Sequence, residues 1–523
     1  MQQKSTLTLL VACLGVTTLF AQPGYLDNSF AGNGLLRTLL GTSCDAADVK
    51  VQSNGKIVVA GAYTTAQGII NFLVERYNAD GTFDNTFAGG DGEQGIAIGI
   101  ESSAFSVAFQ SDGKIVACGY SYDAQYQPYV VIVRLNSNGT LDNSFGTGGK
   151  LLIPNVGAGN INSVAILASG KIIVAQPGYS GANARLCAIR INSNGTLDNT
   201  FGTNGISTVL LASSLVESAR MVIQPDGKMV IACKHVIIYV DHSIYDAAVV
   251  RLKTDGSLDS SFGTGGIVYQ QVGGYNVTGA TCVALQADNK IVVGGYYNTP
   301  ASRFLVMRFN TDGTLDNTFA GNGRTGIAFS QPSAAEGIAV DNSGRIVVGG
   351  YIQSSSDADF ALARLMQDGT LDTYFGSAGN GKVTTGLGYA DRARALTIQP
   401  DGKILLAGIS GNDIGLARYQ VVVKVLPSQR LLPGSLSPDS AQPIKRRSLY
   451  PNPAGNVMIL DGLDPQAITQ YNITDALGKT IQTNRILFRS NTQINTSNVA
   501  AGSYFIQIIS NGKAQTLRFI KKQ

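Results

Sequence analysis

Two short phrases decide the fold: LDNSF at Leu26–Phe30 and GKIVVAG at Gly55–Gly61. The first returns as FDNTF, LDNSF, LDNTF, LDSSF, LDNTF and LDTYF, so that its aspartate falls at Asp27, Asp84, Asp142, Asp198, Asp259, Asp316 and Asp372, 56 to 61 residues apart. The second also occurs seven times, marked by Lys56, Lys114, Lys171, Lys228, Lys290, Arg345 and Lys403. A third marker, an apolar run ending in arginine, recurs at Arg76, Arg134, Arg190, Arg251, Arg308, Arg364 and Arg418. Three markers with one period are the signature of a repeat architecture, in which each unit buries its apolar faces against its neighbours.

Within a repeat, KIVVAGAY and FLVERY are rich in β-branched and aromatic residues and are bounded by SNG and NADG turns, the pattern of antiparallel strands joined by hairpins. No stretch carries a capped helical period. The ends of the array decide between a ring and an open stack. It begins with an orphan GYLDNSF that has no arginine strand before it, and ends with DIGLARYQ, Asp413–Gln420, with no LDxxF after it. The two fragments complete one repeat, which predicts a closed ring whose N- and C-terminal strands share a blade and leave few open edges. The expected fold is therefore all-β: a seven-bladed β-propeller over residues 22–420.

Composition agrees. Glycine supplies 62 of 523 residues and charged residues only 14%, against about 25% charged in an average domain. Coiled coils, helix bundles and charge-rich disordered chains are excluded, since all need more Glu, Lys and Arg. A net charge of +4 gives no electrostatic footprint for nucleic acid. The N-terminal MQQKSTLTLLVACLGVTTLFAQ has a cation, a short apolar run and Ala21 before Gln22, which predicts a signal peptide over residues 1–21. No transmembrane segment is expected after its removal. Five cysteines then remain, an odd number without C-x-x-C spacing, and these argue for neither a disulfide framework nor a zinc site.

In each complete repeat the arginine precedes the aspartate by eight residues. A three-residue hairpin loop with glycine in the left-handed position sets the two opposite one another, so six cross-strand pairs are expected: Arg76 with Asp84, Arg134 with Asp142, Arg190 with Asp198, Arg251 with Asp259, Arg308 with Asp316, and Arg364 with Asp372. The alternative, seven aspartates lining a metal or ligand channel, is less expected, because identical side chains at identical repeat positions serve each blade. Glycine phrases such as FGTGG at Phe145–Gly149, followed by Lys150, lack the earlier glycine and the following Ser or Thr of a phosphate loop and read as turns.

The alternation of DGxLDxxFGxxG with QxDGKIxxxG and xxxRxNxDG resembles the delta-60 repeat family of β-propellers, over Gly24–Gln420. That resemblance implies a propeller used outside the cell and carries no catalytic residue. Residues 421–447 are Pro- and Ser-rich and read as a linker. From Ser448 the pattern changes: Tyr450-Pro451-Asn452-Pro453, a turn at Asp475–Gly478, Gly502-Ser503-Tyr504, an Asn511-Gly512 hairpin signal and the basic end Lys521-Lys522. Residues 448–523 are expected to form a small β-sandwich and resemble the C-terminal sorting domain of type IX secretion cargo. The resemblance implies the type IX machinery as a partner and an extracellular or outer-membrane surface location.

Two functions from different classes fit these features. The first is a binding module for an unknown extracellular ligand, glycan or protein, with no cofactor. The second is a hydrolase or lyase working in the central channel. No catalytic residue can be named. Ligand-binding candidates are the Tyr-rich loops carrying Tyr122, Tyr126, Tyr129, Tyr296 and Tyr297, since tyrosine presents an apolar face and a polar tip. Metal candidates are His235, Asp241 and His242, in the one repeat stretched to 61 residues, where an inserted surface loop is the blander reading. The five glutamates, Glu75, Glu93, Glu101, Glu217 and Glu336, mark no repeat position; convergence of one of them with a basic partner is the feature that favours catalysis.

Overall fold

The computed structural model describes residues 24–420, apart from short stretches at 155–162, 181–182, 212–213, 242, 273–277, 299–300 and 356, and most of the strands from Ser448 onward. Contacts divide the chain into two compact units, Ala21–Lys424 and a C-terminal one. No helix occurs among the described residues.

Each blade is a four-stranded antiparallel sheet in chain order. After β1 (Leu35–Thr38) the first blade comprises β2 (Ser43–Val51), β3 (Ile57–Thr64), β4 (Ile70–Tyr77) and β5 (Glu93–Ile96). The seventh blade takes three strands from the end of the array, Asp391–Ile398, Ile404–Ser410 and Asp413–Tyr419, and its outermost strand is β1. Leu35 lies opposite Ala417 and Thr38 opposite Ile414, and Gly24 and Asp27 donate backbone hydrogen bonds to Gln420 and Arg418. The two orphan fragments thus close the ring.

The core lies between blades. Seven phenylalanines, one per repeat (Phe30, Phe87, Phe145, Phe201, Phe262, Phe319 and Phe375), are fully buried there. Alternate residues of the KIVV strands face opposite neighbours: Val58 packs toward blade two and Val59 toward blade seven, as the period of two requires. All five described cysteines are buried and unpaired. In six blades the innermost strand carries a bulge, as between Ala46 and Asp48. Gly61 lies against it; a Cβ there would sit 1.8 Å from the Asp45 carbonyl oxygen, so the last glycine of GKIVVAG is the residue this close approach requires.

The C-terminal unit forms two antiparallel sheets. One joins Ser448–Tyr450, Val457–Asp461 and Thr492–Asn495; the other orders Thr480–Leu487, Ile468–Asp475, Gly502–Ser510 and Lys513–Lys521. Both contribute buried apolar residues, Ile494 from the first and Tyr471, Ile473, Tyr504 and Ile506 from the second. Ser510 pairs with Lys513, while Asn511, Gly512, Pro451–Pro453, Ala476–Gly478 and Lys522 lie outside the described residues, as do residues 1–21 and the linker 421–447.

Candidate functional site

The two ends of the ring are made of different kinds of residue. At one end are the turns after the innermost strands and the DG hairpins. There the arginine Nε lies 2.5 to 2.8 Å from the aspartate Oδ2 in all seven repeats, the seventh pair being Arg418 with Asp27 across the closure. The local cause is the loop: Gly81, at φ 91°, lets Asn78 and Thr82 close a three-residue turn, and the Asp84 amide then bonds the Arg76 carbonyl. Each guanidinium also lies 4.4 to 4.8 Å over its own repeat's buried phenylalanine.

The clamp reaches the next blade. Nη1 of Arg76 donates to the Ser137 carbonyl, that of Arg134 to Ser193, and so on round to Arg418 and Ala79. Arg364 is the exception. Its Nη1 is buried without a hydrogen-bond partner among the described residues, because the hairpin that would supply the carbonyl is where the chain enters and leaves the ring. A lysine from the GK phrase completes six clamps at 2.5 to 3.2 Å. Burial alone would raise the Asp84 carboxyl, but hydrogen bonds from Lys56, Thr86 and Arg76 hold it well below the usual carboxylate range; Asp27, Asp142, Asp198, Asp259 and Asp316 are lowered in the same manner. These aspartates lie in the clamps and do not line the central cavity.

The opposite end carries the hairpins between second and third strands. Tyr122 and Tyr129 sit near the base of one hairpin, edge-on to Tyr120 in the case of Tyr122, and Tyr126 is 73% exposed at its tip. Tyr296 lies beside Lys234, and the Tyr297 hydroxyl lies against Gly326. The first three belong to blade two and the last two to blade five, so the structure does not bring them together. His235 is buried, with Nδ1 3.6 Å from Asp246 and its ring 4.6 Å from Tyr269; Asp241 is exposed at the hairpin tip, and His242 lies outside the described residues. No group of three metal-ligating side chains occurs among the described residues.

The glutamates fall in distinct settings. Glu101 accepts from the Tyr120 hydroxyl at 2.6 Å, and Glu217 pairs with Lys234 at 2.7 Å. Glu75 is fully buried inside blade one, accepts from the Tyr77 hydroxyl, and lies opposite Glu93. Desolvation pushes its carboxyl up to about 8, against the Tyr77 bond and with the Glu93 charge adding to the rise.

Glu336 lines the central channel. In each innermost strand, the residue paired opposite the fourth position after the Lys/Arg marker is Asp48, Ser106, Ser163, Arg220, Cys282, Gly337 or Ala395. This column differs almost everywhere that the clamp columns agree. Its small members form a belt: Ser106 Oγ and the Val107 amide donate to Asp48 Oδ2 at 2.9 and 3.0 Å, the Val164 amide to Ser106, and the Met221 amide to Ser163. Within the belt lies a cavity of about 170 Å³, whose charged walls are Asp48, Lys50, Arg220, Glu336 and Arg394. Desolvation pushes the Glu336 carboxyl up to about 7, although Arg220, Arg394 and Lys234 pull the other way. Glu336 makes no hydrogen bond to a described residue, whereas Arg394 pairs with Asp45. Asp48, Arg220 and Arg394 were not among the residues singled out from the sequence. Their signal was available: all but Arg394 stand eight residues before the repeat's Lys or Arg marker, in the column where a charge interrupts small residues.

Residues 52–87, 110–145, 167–201, 237–262, 286–319, 342–375 and 399–420 match the family described as Domain of unknown function (DUF5122) beta-propeller, and residues 448–522 match the Secretion system C-terminal sorting domain. No curated protein matches the sequence. Among solved structures, Drosophila Semaphorin 2a is similar at 8% identity and a TM-score of 0.45, over 96% of this chain and 99% of that one. The β-propeller domain of the Trilobed protease from Pyrococcus furiosus is similar at 8% identity and a TM-score of 0.38, over 75% and 98%. The polysaccharide lyase Uly1 is similar at 10% identity and a TM-score of 0.41, over 72% and 90%.

Proposed function

From a chain that carries seven DUF5122 beta-propeller repeats and a type IX sorting tail, we propose a binding module displayed at the cell surface or released beyond it. The sorting domain implies an encounter with the type IX secretion machinery and export to the cell surface or outside. The signal peptide over residues 1–21 supplies the first export step in this reading. No helix among the described residues is long and apolar enough to cross a membrane.

The observation that carries the binding role is the segregation of copied from non-copied residues. Clamp residues repeat round one end and are consumed by the fold, whereas the charged channel column and the tyrosine-bearing hairpins are free to differ, and functional residues concentrate where a rigid scaffold presents variable segments. The ligand in this reading is an extracellular glycan or protein seated at the channel and its hairpin end. A glycan array with the full chain tests it. Tyr126→Ala and Tyr296→Ala should weaken capture about tenfold, while Asp80→Asn and Asp312→Asn, on exposed copied turns, should leave it unchanged. Loss confined to the turn variants would overturn the reading.

Glu336 supports a second reading, a hydrolase or lyase in the channel, because a carboxyl that titrates near neutrality beside arginines is apt for proton transfer. Release of new reducing ends or unsaturated products from a bound polysaccharide, abolished in Glu336→Gln, would favour it over simple binding.

A further inference from the structure

The channel wall singles out one chemistry within the proposed ligand site, and the inference below rests on that reading. Arg220 comes from the innermost strand of blade four (Leu215–Ile223), Glu336 from blade six (Ser333–Val340) and Arg394 from blade seven (Asp391–Ile398). All three wall the same cavity. No aromatic ring among the described residues lines it, so they give a neutral sugar face no stacking surface there. Asp48, the other acid, already accepts from Ser106, Val107 and Val49 and lies 3.5 Å from Lys50. Its acceptor capacity is spent inside the belt. Arg394 gives Nη1 to Asp45 and keeps further N–H donors in its fixed fork. What the described residues offer a guest is therefore the remaining Arg394 donors, the positive charge of Arg220 and a Glu336 carboxyl that makes no hydrogen bond to a described residue.

We propose that this cavity binds a carboxylate, the acid group of a uronate residue or of a small free acid, with Arg220 and Arg394 as its cationic partners and the Glu336 carboxyl as its hydrogen-bonding partner. Two carboxyl groups sharing a proton between cations are compatible, whereas two carboxylates repel. Binding is then linked to proton uptake. The groups facing Glu336 are Arg220, Lys234 and Arg394, with Cys282 on blade five and Tyr351 on its own blade's second strand; across the cavity stand Asp48 and Lys50. Burial raises the Glu336 carboxyl toward neutrality. The protonated fraction falls about tenfold per unit once pH exceeds its midpoint, and apparent affinity falls with the competent fraction.

Isothermal titration with the full chain tests this, using glucuronate, a tetrauronide, and the matched neutral tetrasaccharide at pH 6 and pH 8. The expected result is uronate binding at least tenfold tighter than the neutral sugar, about tenfold tighter at pH 6 than at pH 8, with the pH difference gone in Glu336→Gln and affinity for the acids lost in Arg220→Gln. Arg394→Lys, which keeps the charge, serves as the variant that separates loss of fork geometry from loss of fold, and thermal melts confirm that each protein is folded. Tetrauronide binding without glucuronate binding marks a polymer as the source, and equal binding of both marks the free acid. Equal affinity for the neutral sugar, or a pH dependence that survives Glu336→Gln, overturns the carboxylate inference and leaves the binding reading standing. Binding of none of these sugars, together with no capture on the glycan array, removes both.

Discussion

Asp84 and Glu336 are carboxyl groups embedded in one ring, and their surroundings drive them in opposite directions. Asp84 sits where six of the seven blades repeat the same solution: arginine, lysine and an Asx turn converge on it, and its charged form is favoured well below the ordinary range. Glu336 sits in the bulge beside the channel column, at a position no other blade fills with an acid, hydrogen-bonded to nothing described, and its neutral form persists up to about 7. Burial is common to both; hydrogen bonding separates them. In a repeat protein a solution that stabilises one unit is multiplied by copying, so the groups left unsatisfied mark positions under a different demand.

The largest effect should come from breaking a complete clamp. Arg134 is buried, bonds Asp142 at 2.7 Å, Ser144 at 3.2 Å and the Ser193 carbonyl of the next blade, and covers Phe145. Arg134→Met leaves the buried Asp142 with Lys114 as its one remaining cation among the described residues and removes the donor to the Ser193 carbonyl. The expected cost is about 3–5 kcal/mol, as for breaking a buried ion pair, read by thermal or denaturant unfolding. Arg364→Met sharpens the comparison. Among the described residues Arg364 bonds only Asp372, without the hydroxyl and the next-blade carbonyl that Arg134 reaches, and burial lowers its guanidinium to about 10, so this variant should cost less by at least roughly 1.5–3 kcal/mol, the worth of one or more hydrogen bonds to a charged group. Equal costs for the two would mean that the reach into the next blade contributes nothing.

The same contrast explains what the sequence made legible. Period, strand number and ring closure were all readable, because they depend on local phrases and on the orphan fragments at the two ends of the array. The eight-residue spacing of Arg76 and Asp84 likewise puts two partners across one hairpin. Arg220, Glu336 and Arg394 meet only because three non-adjacent stretches of chain curve round one axis, and no local pattern records that meeting. The tyrosines show the same limit from the other side: Tyr126 and Tyr296 share a composition signal, and that signal does not record that they stand in blades two and five. Aligning the repeats by their lysine marker and asking which column varies would have exposed Arg220, since variation inside an otherwise small-residue strand is visible without a structure.

A second, smaller effect should appear in the dependence of stability on pH. Glu75 occupies a position that is Val133, Ile189 or Val250 in sister blades, and its carboxyl is pushed up to about 8 by burial. Its folded pKa lies above the unfolded value of about 4.5, so the folded state holds the proton more tightly. The stability this contributes is complete below pH 4.5 and is lost as pH rises to 8. The clamp aspartates have the opposite sign: lowered in the fold, they contribute above about pH 4 and lose that contribution in acid. Melting temperature should therefore peak near pH 4.5 to 5 and decline toward pH 8. Glu75→Gln should flatten the decline by several degrees and leave the acid limb unchanged. A decline identical to that of the parent protein would show that Glu75 is not the group responsible.

The smallest effect tests the closure itself. Arg37 on β1 pairs with Asp413 and lies 3.9 Å over the Tyr389 ring, which gives the N-terminal strand a side-chain latch onto the seventh blade. Unlike the clamps, this pair is partly exposed, 30% for the arginine and 18% for the aspartate side chain, so solvent screens it and its worth should be at most about 1 kcal/mol. Asp413→Asn is expected to leave global unfolding nearly unchanged. Its signature is local: amide exchange at Leu35–Thr38 should accelerate severalfold, because this four-residue strand lies at the edge of its sheet and pairs with one neighbour. A loss of stability as large as that of Arg134→Met would erase the distinction between copied clamps and singular contacts, since it would show that one exposed pair at the seam governs the whole ring.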